Sequence, residues 1–581
     1  LDSTRSLIIF VLLIVAALFY NDFITWIRPP KTPPSETQVA KPASQPTASS
    51  AIRRAKRSAV LPTPTTAAPV AAGSPAAITP QEQAAKTAAQ PALLANTAAG
   101  MSPPRTIKVD TNYYKAIFTT RGARLKSFRL RKYRETVAKD SPLYDLVLPG
   151  KRLPLGMVIR ANGQVFSDKS LYYSTSAPAR VDVSPGSKTT LTFTAETGHG
   201  LKIVKTFTFR DNSYVFDTSA AVSGATAGVK AIGLTMSQPL GELSGGYRDY
   251  PALQADVKGS VYLEYKKELK KGMKPAEGEI SYAGIGDRYF LSALIPKEPA
   301  KGQLRMGYGE GEARAEVLFA GVHKIVSSVY MGPKELGILE SVSPNLSKAI
   351  DFGWFGFLAI IFVRALHFFH TIAPNYGWDI VLLTVAVRVA TLPASVKAQR
   401  SALRMQRLAP QVEKIREKFK DDSTRLNHEM MDLYKRNHVN PLGGCLPTAI
   451  QFPILYGLYE ALLNAVELRH APFIGWIRDL SAPDCYPVSW MPKVPFLDCH
   501  GIPILVLLMG VSTYVQQSMM PKPADPNQQK MMMWMPIFFT VLFIALPAGL
   551  SLYYFASNIL GIIQQFFLNR EFKQYAPVAT A

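Results

Sequence analysis

The chain has 581 residues, with 65 Lys+Arg against 42 Asp+Glu for a net charge of +23, and it is 48% hydrophobic but only 18% charged. An average soluble chain is about 25% charged, and here the deficit is concentrated in long apolar stretches. Length excludes a single globular domain and three cysteines exclude a disulfide-framed secreted scaffold, which leaves a polytopic membrane protein with a large soluble part. Residues 7–27 open with fourteen apolar residues, reach Trp26 and lack a small-x-small cleavage site. Residues 1–27 are therefore expected to be an uncleaved transmembrane anchor, with Arg5 holding the N-terminus in the cytoplasm. Residues 28–105 are Ala, Pro, Thr, Ser and Gln without any period, a composition expected to form a disordered tether.

Residues 106–340 change character. Thr106–Val109, Leu191–Thr194, Lys202–Phe209, Tyr214–Thr218 and Ala315–Phe319 are rich in Val, Ile, Thr, Phe and Tyr, with Gly, Asn, Asp and Pro between them. Short strands without a long amphipathic helix predict an all-β sandwich. Gly186-Ser187-Lys188-Thr189 lacks the leading glycine of a phosphate loop, and Gly307-x-Gly309-x-Gly311 has no helix after it.

Beyond residue 340 the chain is apolar again, at 352–372, 377–396, 445–466, 501–520 and 531–568. The last stretch is nearly twice the roughly 20 residues of one span. Pro547-Ala548-Gly549 divides it into 531–546 and 549–568. If both 352–372 and 377–396 crossed, the Lys/Arg-dense segment 397–436 would lie outside, against the positive-inside rule. Arg364, His367, His370 and Trp354 mark 352–372, within 341–376, as the interfacial amphipathic helix. Six spans result, with both termini cytoplasmic, residues 569–581 as a short cytoplasmic tail and the β-domain on the outer, periplasmic face.

Within 397–436, Met405, Leu408, Val412, Ile415 and Phe419 form a seam spaced 3, 4, 3, 4. Asp421-Asp422-Ser423 breaks the helix, and Ser423 is placed to cap a second one carrying Leu426, Met430 and Leu433. The product is a cytoplasmic helical hairpin whose outer face bears Arg404, Arg407, Lys414, Arg416 and Lys418, a docking device for a ribosome or targeting factor. Arg388 lies among apolar neighbours in 379–393. Placing Arg at the centre of a spanning helix costs about 2.5–3.5 kcal/mol, so it marks a wet functional position. Glu460 is the one acidic candidate partner in 445–466, and water is the better one. On that view any positive charge suffices, and Arg388→Lys is expected to be tolerated. Cys485 and Cys499 share an outer loop in an oxidising compartment and form a candidate disulfide, two separate thiols being the alternative. Cys445 is expected on the cytoplasmic side and reduced. His367-x-x-His370 is read as interfacial polarity rather than half a metal site.

Asn375–Pro393 (NYGWDIVLLTVAVRVATLP), Asn440–Pro453 (NPLGGCLPTAIQFP), Glu467–Leu480 (ELRHAPFIGWIRDL) and Pro547–Asn558 (PAGLSLYYFASN) resemble the YidC/Oxa/Alb membrane protein insertases. Gly286–Pro296 (GDRYFLSALIP) and Met331-Gly332-Pro333-Lys334 resemble the periplasmic domain of the bacterial branch. The resemblance implies a β-supersandwich periplasmic domain and a five-helix insertase core. That core would form a hydrophilic groove open to cytoplasm and lipid but closed to the periplasm. The groove arginine falls on Arg388, Thr384 and Gln451 occupy neighbouring groove positions, and Tyr553 and Tyr554 lie on the last span. The implied partners are nascent membrane proteins, the Sec translocon, the ribosome and the bilayer. No catalytic residue, cofactor, metal or nucleic-acid sequence is implied. A solute transporter is the rival reading, but the halves about residue 450 show no repeat. A sugar-binding protein is another, but 106–335 has no carboxylate cluster beside exposed Trp.

Overall fold

The computed structural model describes residues 103–239, 251–272, 274–420, 422–437, 446–490, 501–520 and 526–574. The expected anchor at 1–27, the tether up to 102, Cys445, Cys499 and the last seven residues lie outside the described residues.

The soluble part holds eighteen described strands: β1 Thr106–Asp110, β2 Tyr114–Thr119, β3 Arg124–Arg134, β4 Leu143–Asp145, β5 Gly156–Ala161, β6 Gln164–Ser167, β7 Arg180–Asp182, β8 Lys188–Glu196, β9 Leu201–Arg210, β10 Val215–Gly224, β11 Val229–Pro239, β12 Ala252–Val257, β13 Ser260–Glu264, β14 Lys274–Gly286, β15 Phe290–Glu298, β16 Lys301–Gly309, β17 Glu312–Ala320 and β18 Lys324–Pro333. One sheet has the order β4-β3-β2-β1-β7, and a thirteen-stranded sheet runs β6-β5-β11-β17-β16-β14-β15-β18-β10-β9-β8, with β12 paired to β14 and β13 to β12. Apolar residues in period 2 give each sheet one buried face. Phe118 of β2 packs on Phe207 of β9 at 4.8 Å, and Phe128 of β3 on Phe216 of β10 at 6.1 Å, which joins the small sheet to one end of the large one. The glycines at 307, 309 and 311 belong to the β16–β17 hairpin, where Gly311 takes φ +87°.

A fully buried charged group crosses the same junction. Asp168 accepts hydrogen bonds from Arg124 Nη2 (2.7 Å), Met157 N (3.0 Å) and the Tyr173 hydroxyl (3.2 Å), and pairs with Lys205 Nζ at 2.5 Å. Lys205 also donates to the Gly122 and Leu155 carbonyls at 2.8 and 3.0 Å. Burial works to raise the Asp168 pKa, but Lys205 and Arg124 outweigh it and hold the carboxyl below its ordinary range. Burial pushes the Lys205 ammonium down to about 8, against the pull of Asp168.

Nine helices are numbered here: α1 Leu336–Val342, α2 Gly356–His370, α3 Tyr376–Arg407, α4 Ala409–Lys418, α5 Ser423–Arg436, α6 Leu446–Asn464, α7 Ile504–Ser518, α8 Pro526–Phe543 and α9 Ala548–Gln574. Among the described residues only α3 is long and apolar enough to cross a membrane by itself, while α2, α7 and Met532–Phe543 of α8 are apolar but shorter. The stretch expected to be helical over 501–520 is helical only over α7, because Gly501–Ile502 pairs as a strand with Tyr486–Pro487 and Pro503 starts the helix. The expected hairpin turn at 547–549 also moves. The α8 helix ends at Phe543, whereas Ala548 and Gly549 are the first residues of α9. Pro547 biases the residue before it away from helical geometry, so the break precedes the proline.

The first hairpin helix does not begin at 397. The span and that helix are one continuous α3 that passes through Pro393 to Arg407. The change from apolar to basic sequence along α3 is therefore not accompanied by any break in the backbone. The helix α5 is capped by Asp422, not Ser423: its carboxylate accepts from Thr424 N (3.1 Å) and Arg425 N (2.9 Å). A charged acceptor at a helix N-terminus gains from the dipole as well as from the hydrogen bonds. Leu408, Val412 and Tyr434 form the hairpin core, with Met405, Met430 and Leu433 packed on it. The aromatic residue was not anticipated.

Candidate functional site: a polar cluster inside the helical core

Arg388 sits half-buried in the apolar middle of α3. Its Nε donates to Ser557 Oγ at 2.9 Å and its Nη2 to the Ser557 carbonyl at 2.7 Å, so the guanidinium grips one residue of α9 with two prongs. Tyr553, one turn earlier on α9 and 1% exposed, is hydrogen-bonded to both Ser557 and Gln451. Tyr554 stands perpendicular to Tyr553 at 5.6 Å and packs edge-on to Phe543 of α8 at 4.7 Å. Arg388, Gln451, Tyr553 and Tyr554 are thus brought together from α3, α6 and α9. Thr384, a turn above Arg388, is fully buried, and its hydroxyl donates to the Ile380 carbonyl at 2.6 Å. The expected alternative acid, Glu460, is fully buried and accepts from Asn464 Nδ2 at 3.1 Å.

Ser557 was missed at the sequence level, because a serine in an apolar helix carries no signal of its own. Gln516 and Gly561 were missed as well. A Cβ on Gly561 would stand 2.1 Å from Gln516 Nε2 and 3.2 Å from Arg388 Nη2, so glycine is what lets α7, α9 and Arg388 meet. A second polar node joins α7 to α9, where Asn558 Nδ2 donates to Ser512 Oγ (3.0 Å) and Thr513 Oγ1 (2.8 Å). The Arg388–Ser557 contact is also the inner rung of a ladder. Gln564 Nε2 donates to Ser395 Oγ at 3.0 Å, and Arg400 pairs with Glu571 at 2.9 Å. On α9 these rungs fall at 557, 564 and 571, and on α3 they advance in the same direction, so the two helices run parallel in a fixed register.

On the hairpin, Arg404, Arg407, Lys414 and Lys418 are exposed, whereas Arg416 is half-buried beside Tyr434. Cys485 is disulfide-bonded, and Cys499 lies outside the described residues. His367 and His370 bind separate carboxylates: His367 Nε2 meets Glu467 at 2.6 Å, and His370 Nδ1 meets Asp379 at 2.7 Å. Among the described residues no group of three or more His, Cys, Asp or Glu could hold a metal ion.

The helical core is tied to the β-domain on one face. Arg469, in the loop after α6, donates from Nη1 to the Arg134 carbonyl at 2.8 Å and lies over the rings of Tyr144 (5.0 Å) and Phe290 (5.4 Å). The segment between the β-domain and α2 is anchored by Lys348 Nζ on Asp256 at 2.9 Å.

Residues 106–365 match a family described as the YidC periplasmic domain, and 368–575 match one described as the 60Kd inner membrane protein. A membrane protein insertase YidC of Syntrophus aciditrophicus (strain SB) is 33% identical over 591 residues, covering 98% of this chain and 99% of the relative. A second, from Oleidesulfovibrio alaskensis, is 35% identical over 515 residues, covering 84% and 92%. A crystal structure of an active YidC insertase is similar at 18% identity with a TM-score of 0.35, covering 80% of this chain and 93% of that one, and bears no weight beside these relatives. On the length and completeness of these matches, the chain belongs to the YidC family: it is an inner-membrane protein insertase with a periplasmic domain that is mostly β-sheet.

Proposed function

We propose that the cluster around Arg388 lines a hydrophilic groove, open to cytoplasm and lipid and closed to the periplasm, through which this insertase passes the polar flank of a nascent segment. The observation that carries the reading is the two-pronged contact of Arg388, set in the apolar middle of α3, with Ser557 of α9. A cation kept at that depth attracts acidic or polar flanks, and more strongly because its walls have a low dielectric. The apolar part of the substrate then slides along α6 and α8 into lipid. Partitioning supplies the drive, at about 0.8 kcal/mol per buried methylene, and no catalytic chemistry is needed. In this reading α3, α6, α7, α8 and α9 together with the anchor at 1–27 make six spans, with both chain ends cytoplasmic. The hairpin made by the end of α3 with α4 and α5 offers Arg404, Arg407, Lys414, Arg416 and Lys418 to a ribosome or targeting factor, and the insertase works alone or with the Sec translocon.

The test is insertion of a single-span substrate with an acidic flank into liposomes holding the purified protein. Arg388→Ala should lower the rate while the protein remains folded. Sequence alone makes any positive charge sufficient, but lysine lacks the rigid planar fork of arginine, so its ammonium would hold the two oxygens of Ser557 in a less fixed geometry. Arg388→Lys should therefore fall between wild type and Arg388→Ala. A wild-type rate for Arg388→Ala would sink the groove reading.

A further inference from the structure

The loop after α6 gathers the ends of more helices than any contact described so far explains. Its middle is folded on itself, with Phe473 N donating to the Ile477 carbonyl at 2.9 Å and Leu480 N to the Ala471 carbonyl at 3.0 Å. It holds the start of α3 through Asn375 Nδ2, which donates to the Pro472 carbonyl at 3.1 Å. Phe473 also packs so closely on Gly377 that a Cβ there would lie 2.0 Å from its ring. It holds the start of α9, where Ala548 N and Gly549 N donate to the Ala482 and Leu480 carbonyls at 2.7 and 2.8 Å. Finally it holds the start of α7. No side chain of that helix's own N-cap residue, Pro503, serves it. Instead the Asp484 carboxylate accepts from Leu505 N (2.5 Å) and Val506 N (3.4 Å) on one oxygen and from Trp476 Nε1 (2.9 Å) on the other.

We propose that residues 466–485 form the seal that closes the Arg388 cluster toward the periplasm, and that Asp484 is the positioning residue that sets it. The first amides of every helix lack partners within the helix. At the edge of a membrane such groups are costly to leave bare, so whichever segment satisfies them is fixed against those helices. Here one loop satisfies α7 and α9 and pins α3, the three helices that bring Gln516, Ser557 and Arg388 together. At about 1.5 Å per residue, Arg388 lies about 18 Å and Ser557 about 13 Å along their helices from these anchored ends. The side of the membrane follows from Arg469, which ties the same loop to the periplasmic domain. Asp484 itself is 2% exposed, and two of its three donors belong to α7 while the third, Trp476, belongs to the loop, so the carboxylate joins the loop to the helix. The carboxylate is charge-matched to a helix N-terminus. Cys485, beside it, is disulfide-bonded, which restricts how far the cap can withdraw.

The inference rests on the groove reading for what lies beneath the seal, so the experiment measures sealing and insertion separately. Ser551, fully buried in the first turns of α9, has a hydroxyl with no hydrogen-bond partner, so Ser551→Cys places a thiol there without breaking a hydrogen bond. A membrane-impermeant maleimide is added to the periplasmic face of cells carrying the full chain, with the unsubstituted parent as background. With Asp484 in place the introduced thiol should stay unlabelled. Asp484→Ala should raise its labelling rate roughly five- to thirtyfold, the effect of losing one helix cap. Asp484→Asn, which retains an oxygen acceptor, should lie between. A thiol that stays protected in folded Asp484→Ala protein overturns the proposal. Should that variant fail to accumulate, Trp476→Phe, which removes one donor from the carboxylate, decides in its place: faster labelling supports the seal and unchanged labelling overturns it. An exposed thiol with normal insertion supports the seal but counts against the groove. A protected thiol with lost insertion overturns the seal and leaves the groove reading standing.

Discussion

Asp168→Ala should be among the most damaging single changes in the periplasmic domain, although Asp168 is far from the insertion machinery. The carboxylate is fully buried and serves two cations, Lys205 at 2.5 Å and Arg124 at 2.7 Å, which are 1% and 6% exposed in their side chains. Removing it leaves Lys205 with the Gly122 and Leu155 carbonyls but no counter-charge, in a site where water cannot reach. Breaking a buried ion pair from one side costs about 3–5 kcal/mol. A domain of this size shifts by about 2–4 °C per kcal/mol, so the midpoint should fall by roughly 6–20 °C. The full-length protein in detergent, heated while β-domain tyrosine signals are followed, gives the number. The sign with pH is fixed too. Lys205 titrates at about 8 when folded, below its ordinary 10.5. The unfolded chain therefore binds more protons between those values, and this group adds stability as pH rises through that window. Asp168 works at the acid end: its depressed pKa gives stability that is present above the ordinary carboxyl range and lost as pH falls through the folded value. In Asp168→Ala protein the deficit should shrink on moving from pH 7 to pH 9, as the orphaned ammonium gives up its proton. A midpoint within about 2 °C of wild type at pH 7 would refute the reasoning.

Gly561→Ala should reduce insertion without unfolding the protein, because its Cβ would displace Gln516 and press on Arg388; unchanged insertion with a superimposable thermal profile would show that the junction has slack. His367 has its pKa raised, first by its hydrogen bond to Glu467, so its contribution is full below about pH 6.5 and is lost as pH rises through the raised value. His367→Gln should therefore flatten the pH dependence of thermal stability above about pH 6.5, and an identical slope in the variant would exclude the pair as its source. Alkylation of intact cells before and after reduction should label Cys485 only afterwards, with Cys499 as its expected partner; labelling of Cys485 without reductant would mean that no bridge forms in the cell.

How much of this could be read beforehand depends on where each signal resides. Arg388 was legible because a charge in an apolar run is conspicuous along the chain. Its acceptor was not, since Ser557 is one small polar residue 169 positions away and its backbone carbonyl has no sequence signature at all. Lys205 could have been found: it stands in phase with Ile203, Phe207 and Phe209 on the inward face of β9, and a lysine at that phase calls for a buried acid. Caps divide in the same way. Asp422 lies next to the helix it serves, and the error there was one residue. Asp484 serves a helix that begins twenty residues later, a distance at which local pattern carries nothing. Helix ends in the membrane moved for a related reason. Hydropathy records solvent, and it is blind to Pro503 and Pro547, which set where the hydrogen-bond ladder starts and stops.

The α3–α9 ladder has a polarity of its own. Its inner rung, Arg388 on Ser557, is half-buried and made of two hydrogen bonds, while its outer rung, Arg400 on Glu571, is 47% and 41% exposed and worth no more than about 1 kcal/mol in salt. Two parallel helices joined in this way behave like a zip fastened at one end. The exposed end should weaken as ionic strength rises, while the two hydrogen bonds of the inner end keep the register. In the proposed topology a substrate arriving from the cytoplasm would meet the salt-sensitive end first and the two-pronged contact last.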